Sequence, residues 1–375
     1  MPAPPAHDYD LLIRAGRVFC EETGLDGPGA VAVKDGRIAA SGPGVDGSAA
    51  MTFDFPDGVA MPGLVDLHAH PARGGSRYGV DPDAHFLPRG VTTVMSQGDA
   101  GASNWPAYRD HVIRACRTRV ILAINLSVHG ESHPDACFPD LEAADVEACE
   151  SAIESGGDAI WGIAANTGPS NPTPPREIMD RALAASERTG KPLLVGTRLS
   201  SDWSLDDQLP LLRAGDVVTY CFNDFPESVV KDGRIRSCVR DARARGVLFD
   251  IGHGMASFSF PVAEAAIADG FLPDTISTDQ YSRHVGSDPQ HDLPRTLSKL
   301  IAAGMAERDA FLRVTSRPAE VLGLQGEIGT LRAGACGDVA VLRWNENALP
   351  LRDVDGVQRP GGCWEPVLTA RAGIV

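Results

Sequence analysis

The 375-residue sequence predicts an α/β fold: a (β/α)8 TIM-like barrel with a small β-sandwich domain built from both termini. Three observations predict it. Short apolar runs recur between residues 61 and 321 in a set of eight. Helical stretches with a period near 3.6 separate them. The two ends of the chain have a different, β-rich texture. Strand and helix in repeated alternation mark a parallel sheet, and eight units without a Gly-x-Gly-x-x-Gly turn favour a closed barrel over a doubly wound sheet.

The eight expected strands are 65–70 (VDLHAH), 92–97 (TTVMSQ), 119–128 (RVILAINLSV), 159–166 (AIWGIAAN), 192–197 (PLLVGT), 216–222 (DVVTYCF), 248–254 (LFDIGHG) and 275–280 (TISTDQ). Most are nearly continuous apolar runs, as strands covered on both faces should be. Helices are expected over 105–117, 141–155, 176–189, 235–245 and 261–268, and several stop at a glycine: Gly156, Gly190, Gly246 and Gly270. Residues 9–60 and 326–345 hold short runs broken by Gly, Asp and Pro, the pattern of antiparallel strands with tight turns. The expected division is therefore 1–60 plus 322–375 for the small β domain and 61–321 for the barrel.

Composition narrows the function. Hydrophobic residues are 43% and charged residues 22%, which excludes a disordered or fibrous chain. Lys+Arg is 34 against Asp+Glu 50, a net charge of −16. Such a chain repels phosphate backbones and anionic headgroups, so the expected partner is a small-molecule substrate, with no nucleic acid and no membrane surface. None of the eight cysteines forms a C-x-x-C pair, and free, mostly buried thiols in a reducing compartment are expected. No apolar run reaches the ~18–20 residues of a membrane span, and residues 1–10 lack a signal-like pattern. These features point to a cytoplasmic protein.

The strongest chemical signal is His68-Ala69-His70. Side chains two apart on a strand share a face. Both imidazoles then point into the barrel at the C-terminal end of its first strand, the face on which barrel active sites are built. Two imidazoles suit a borderline ion such as Zn2+. Asp279 ends the eighth strand, which neighbours the first in a closed barrel. It can complete a metal site, act as proton acceptor, or cap the following turn.

MPGLVDLHAH at 61–70, GVTTV at 90–94, FDIGHGMASFSF at 249–260 and FLPDTISTD at 271–279 resemble the amidohydrolase superfamily, in particular its dihydroorotase-like and N-acyl deacetylase branch. GEIGTLRAGACGDVAVL at 326–342 is similar to the segment by which such chains return to the small β domain. The resemblance implies a hydrolase acting on a C–N bond other than a peptide bond, through two metal ions bridged by a carboxylated lysine of the fourth strand, with histidines from the fifth and sixth. This chain departs from that pattern. Its four lysines (Lys34, Lys191, Lys231 and Lys299) lie off the strand ends. The fifth strand ends Gly196-Thr197-Arg198, and Tyr220 stands where the sixth-strand histidine would be.

One Zn2+ held by His68, His70 and Asp279 is therefore the first expectation. The alternatives are a metal-free enzyme of this fold doing lyase or isomerase chemistry, and a non-catalytic small-molecule-binding protein. In the first case Asp279 carries the proton, Tyr220 donates to the oxyanion, and the resemblance gives His253 a substrate-side role. In the metal-free case Tyr220, His253 and Asp279 are the acid–base groups. Arg198, Asn166, Asn223 and Ser257 are candidate substrate contacts by position, Arg198 through a bidentate grip on a carboxylate. The segment His129–His133 is expected to be a polar surface loop, with the second possibility that it supplies a ligand. Assembly into a homo-oligomer is an expectation by analogy only.

Overall fold

A computed structural model describes residues 7–168 and 171–375. Seven parallel strands form the barrel wall in the order of the sequence: Leu64–Ala69, Val91–Gln97, Arg119–Asn125, Ile160–Asn166, Leu193–Gly196, Val217–Thr219 and Leu248–Phe249. The eighth stave, residues 275–280, joins by single parallel bridges, Asp250 to Thr275 on one side and Gln280 to Ala69 on the other. The barrel thus closes between its first and last staves, as the alternation predicted. No helix among the described residues is long and apolar enough to cross a membrane.

The sixth and seventh strands are shorter than their apolar runs. The reason is local. Tyr220 has φ +64°, and Gly252 and Gly254 have φ +50°, so the extended backbone ends before each apolar run does. The expected helix at 105–117 is also broken into a turn of α-helix, Trp105–Tyr108, followed by a π-helical segment, Arg109–Ile113. The other four expected helices form as Val146–Gly156, Pro175–Thr189, Ser237–Ala244 and Phe260–Ala268. Asp145 caps the first of these by accepting from Ala148 N–H, and Gly190 ends the second with φ +68°.

Val65, Leu67, Met95, Ile121, Trp161 and Leu194 belong to one buried cluster that also includes Leu322 and Ile328. Leu64, Leu122, Ile124, Ile163, Val195 and Phe249 belong to another, together with helix residues such as Ile178, Met179 and Val239. The terminal segments join in one six-stranded sheet, ordered Cys363–Ala370, Val339–Asn345, Ala49–Pro62, Tyr9–Cys20, Leu25–Lys34 and Arg37–Gly42. Its long strand Ala49–Pro62 runs through Gly63 straight into the first barrel strand. Gly63 N–H donates to Asp338 O at 2.8 Å, which pins that junction to the returning chain.

Asp66 ties the first stave to the last. Its carboxylate accepts from Thr278 Oγ1 at 2.6 Å and Thr278 N–H at 3.1 Å. It is fully buried, and burial pushes its pKa up to about 7 against these hydrogen bonds. Replacing Asp66 with Ala leaves buried Thr278 donors without an acceptor. The expected cost is about 2–4 kcal/mol, read as a lower urea midpoint at unchanged slope.

Candidate active site

Stave closure gathers three side chains at the C-terminal end of the barrel. Between Asp66 and Ala69 the register of the first strand shifts, a bulge of the kind found beside active sites. His68 Nε2 lies 3.4 Å and His70 Nε2 3.3 Å from Asp279 Oδ1. Asp279 N–H donates to His68 O at 2.7 Å, so the last stave is held against the first at this level. Asp279 has φ +48°. A β-carbon on the neighbouring Gly254 would stand 2.5 Å from its Oδ2, so only glycine fits beside this carboxylate.

The far nitrogen of each imidazole is committed. His68 Nδ1 lies 2.7 Å from Thr219 Oγ1, whose hydroxyl donates to Asp250 at 2.9 Å. The hydroxyl has one proton and spends it on Asp250, so His68 Nδ1–H is the donor. His70 Nδ1 lies 3.0 Å from Asp99 Oδ1, which also accepts from Ser76. Both histidines therefore turn Nε2 toward Asp279. This is the arrangement in which carboxylates behind the imidazoles orient metal ligands and raise their basicity.

The charge balance agrees. Burial opposes the imidazolium form of His68, but Asp279 and Asp250 outweigh it and push its pKa up to about 9. Asp99 and Asp279 likewise raise His70 against burial. Burial would raise the Asp279 carboxyl, yet the two imidazoles hold it below the usual range. The field of three carboxylates favours positive charge at this point. Two neutral nitrogens and a carboxylate oxygen, all within 4.8 Å of one another, are a donor set that fits a divalent ion such as zinc. Among the described residues this is the single such cluster.

Beside it lies a polar cavity of about 160 Å3. His70, Asp279, Tyr220 and Asn166 line it. Gln97, Glu131, Tyr78, Tyr281, Arg77 and Arg283 line it too; of these six, only Glu131 lay in a segment that the sequence offered, as a second possibility, for the site. Glu131 corrects the surface-loop expectation for residues 129–133. It is buried and accepts from Arg77 at 3.1 Å. Gln97 is 2% exposed, and its Nε2 has no partner. A larger cleft of about 630 Å3 between the Asp288–Asp292 loop and the terminal sheet contains none of the three clustered residues.

Other expected site residues are placed elsewhere. His253 packs flat on Phe258, with Nδ1 2.7 Å from Gly254 O and Nε2 2.8 Å from Lys299 Nζ, so neither nitrogen is free for a substrate. Arg198 closes on Asp202 through Nε and Nη2 at 2.7–3.1 Å instead of facing the cavity. Asn223 supports Tyr220 from behind, donating to its carbonyl at 2.7 Å. Ser257 is buried in the turn after His253 and lines no part of the cavity. The lysines stay away as their positions implied: Lys34 contacts Asp10, Lys191 donates to Ile160 O, Lys299 meets His253, and Lys231 sits in a two-residue strand. All eight cysteines are free thiols, and Cys221 is buried.

Two outcomes are expected. Asp99→Ala should weaken zinc binding by about 10–100-fold, in competition titration with a chelating dye. Because the two imidazoles carry protons near neutral pH and must lose them to ligate, ion affinity should rise with pH to about 9. Calorimetry in buffers of different ionisation enthalpy should show at least about two protons released per ion at pH 7, one from each imidazolium.

No protein-family model matches the chain. It is 32% identical over 359 residues to a deacetylase of Enterococcus faecalis, an alignment spanning 94% of each chain. A solved adenine deaminase superposes with TM-score 0.88 at 30% identity, over 98% of this chain and 99% of that one. A solved dihydroorotase superposes with TM-score 0.86 at 27% identity, over 97% and 96%. With its barrel, its terminal β domain and its paired histidines, the chain belongs to the amidohydrolase superfamily, in the dihydroorotase-like and N-acyl deacetylase branch, and is a hydrolase of carbon–nitrogen bonds other than peptide bonds.

Proposed function

We propose that this protein is a metal-dependent hydrolase with a reduced, one-ion centre, acting on the amide or cyclic amide bond of a small molecule. The observation that carries this reading is the convergence of His68 Nε2, His70 Nε2 and Asp279 Oδ1, with both Nδ1 atoms locked from behind. The resemblance to deacetylase and dihydroorotase supports attack at an acyl carbon attached to nitrogen. The small volume of the cavity supports a small substrate. The acidic surface goes with a soluble small-molecule substrate in the cytoplasm and with no nucleic-acid or membrane partner.

His68, His70 and Asp279 would hold the zinc, which would supply Lewis-acid polarisation of a carbonyl and a water pKa lowered toward ~7. The chain's own groups do the rest. Asp279 stands at the centre of the cluster and accepts the proton of the attacking water. It returns that proton to the departing nitrogen, a transfer helped by its position on the cavity wall. Gln97 offers an uncommitted buried N–H at the level of His70, because Ser96 pairs with Ala69 in the register of the first two strands. That N–H is free to donate to the substrate's oxygen. Glu131 and Arg77, both on the cavity lining, form an ion pair at 3.1 Å. No lysine ends the fourth strand, no histidine ends the fifth, and Tyr220 stands where the sixth-strand histidine would be, which favours one ion over two.

Elemental analysis should find about one zinc-like ion per chain. Chelation should abolish turnover of an N-acyl substrate, and one equivalent of Zn2+ should restore it. Two firmly bound ions, or full activity after chelation, would contradict the reading. Asp279→Asn should lower kcat by about 10²–10⁴-fold while the circular dichroism spectrum is unchanged.

A further inference from the structure

Tyr220 is seated with unusual care for a residue next to a metal cluster. Its backbone is left-handed, φ +64°, a conformation that costs an aromatic residue about 1–3 kcal/mol. Cys221 N–H to Asp250 O at 3.1 Å and Asn223 to Tyr220 O at 2.7 Å hold it there. Its ring lies between two glycines. A β-carbon at Gly196 would stand 3.1 Å from Cε2, and one at Gly252 would stand 3.0 Å from Cδ1. Both strand ends are therefore bare where the ring passes. The result is to deliver the phenol oxygen to 3.4 Å from His68 Nε2.

That distance is long for O–H···N, which prefers ~2.7–3.2 Å. The His68–Asp279 and His70–Asp279 contacts, at 3.4 and 3.3 Å, are long in the same way. Ligands around one ion behave differently. With bonds of ~2.0–2.1 Å, the edge of a tetrahedron is about 3.3–3.4 Å. All three contacts match that edge. Resting on the one-ion reading above, we infer that Tyr220 Oη is itself a ligand of the ion held by His68, His70 and Asp279.

The charges close as well. Two neutral imidazoles, one carboxylate and one phenolate, its proton released to water on coordination, neutralise a divalent ion. In a buried site an uncompensated charge is costly. Tyr220 thus takes up the side of the centre where the family pattern places a second ion, and oxyanion donation passes to Gln97. The cavity side remains for water or substrate through expansion to five ligands.

Loading the metal-free protein with Cu2+ tests this without reference to turnover. The expected result is one ion bound and a visible phenolate-to-copper charge-transfer band. Tyr220→Phe should lose the band and keep the copper, while Tyr78→Phe and Tyr281→Phe, the two other tyrosines on the cavity, should keep both. Zinc affinity of Tyr220→Phe should fall on the order of tenfold or more. One ion bound without a band in the unaltered protein overturns the ligation and leaves the histidine–aspartate site standing. A band that survives Tyr220→Phe overturns it equally. Failure of the unaltered protein to bind copper or zinc overturns the one-ion reading itself, and the Tyr220 inference with it.

Discussion

Closing a parallel barrel forces its first and last staves side by side, although 212 residues separate Asp66 from Thr278. Here the closure has little ladder to rely on, because the eighth stave is joined by isolated bridges. A buried carboxylate takes the place of the missing ladder. Asp66 accepts two donors of Thr278, and its own burial is tolerable because they are there. Asp279 follows Thr278 by one residue, and His68 follows Asp66 by two. The interaction that shuts the barrel therefore also sets the spacing of the histidine–aspartate cluster.

Asp250 performs a similar service on the other flank. It accepts from Thr219 on the sixth stave and from Thr275 and Ser277 on the eighth. Through Thr219 it fixes the ring of His68. One buried anion thus links barrel cohesion to imidazole orientation, and Asp99 repeats the arrangement behind His70 with Ser76 and Ser96. Buried charges of this kind are weak sources of net stability. Their value here lies in holding two nitrogens in one tautomer and one direction.

Much of the fold was legible in order along the chain. Apolar runs and 3.6-period stretches are properties of neighbouring residues, and the strands and helices appeared close to where those patterns lie. The structure departs from the pattern where a backbone angle, a loop path or a side-chain contact overrides it. Tyr220 reads as the middle of an apolar strand but stands at φ +64°, and the strand stops at Thr219. The His129–His133 segment reads as a polar loop, yet it folds back so that Glu131 is buried on the cavity wall. His253 has the setting of a site residue between two glycines, and its ring turns to Lys299 and Phe258.

Local residue patterns were enough to give the barrel, the terminal β domain, the pairing of His68 with His70 and the acid at the end of the last stave. Each of these rests on periodicity or on strand order, which a few adjacent residues encode. Long-range packing had to supply the groups that stand behind the imidazoles, the place of Glu131 and Gln97 on the cavity lining, and the approach of the Tyr220 oxygen to His68. Those contacts join residues as far apart as His68 and Tyr220, 152 positions in the chain. They depend on register, on loop path and on two glycines that leave room for a ring, and none of these is written in local spacing.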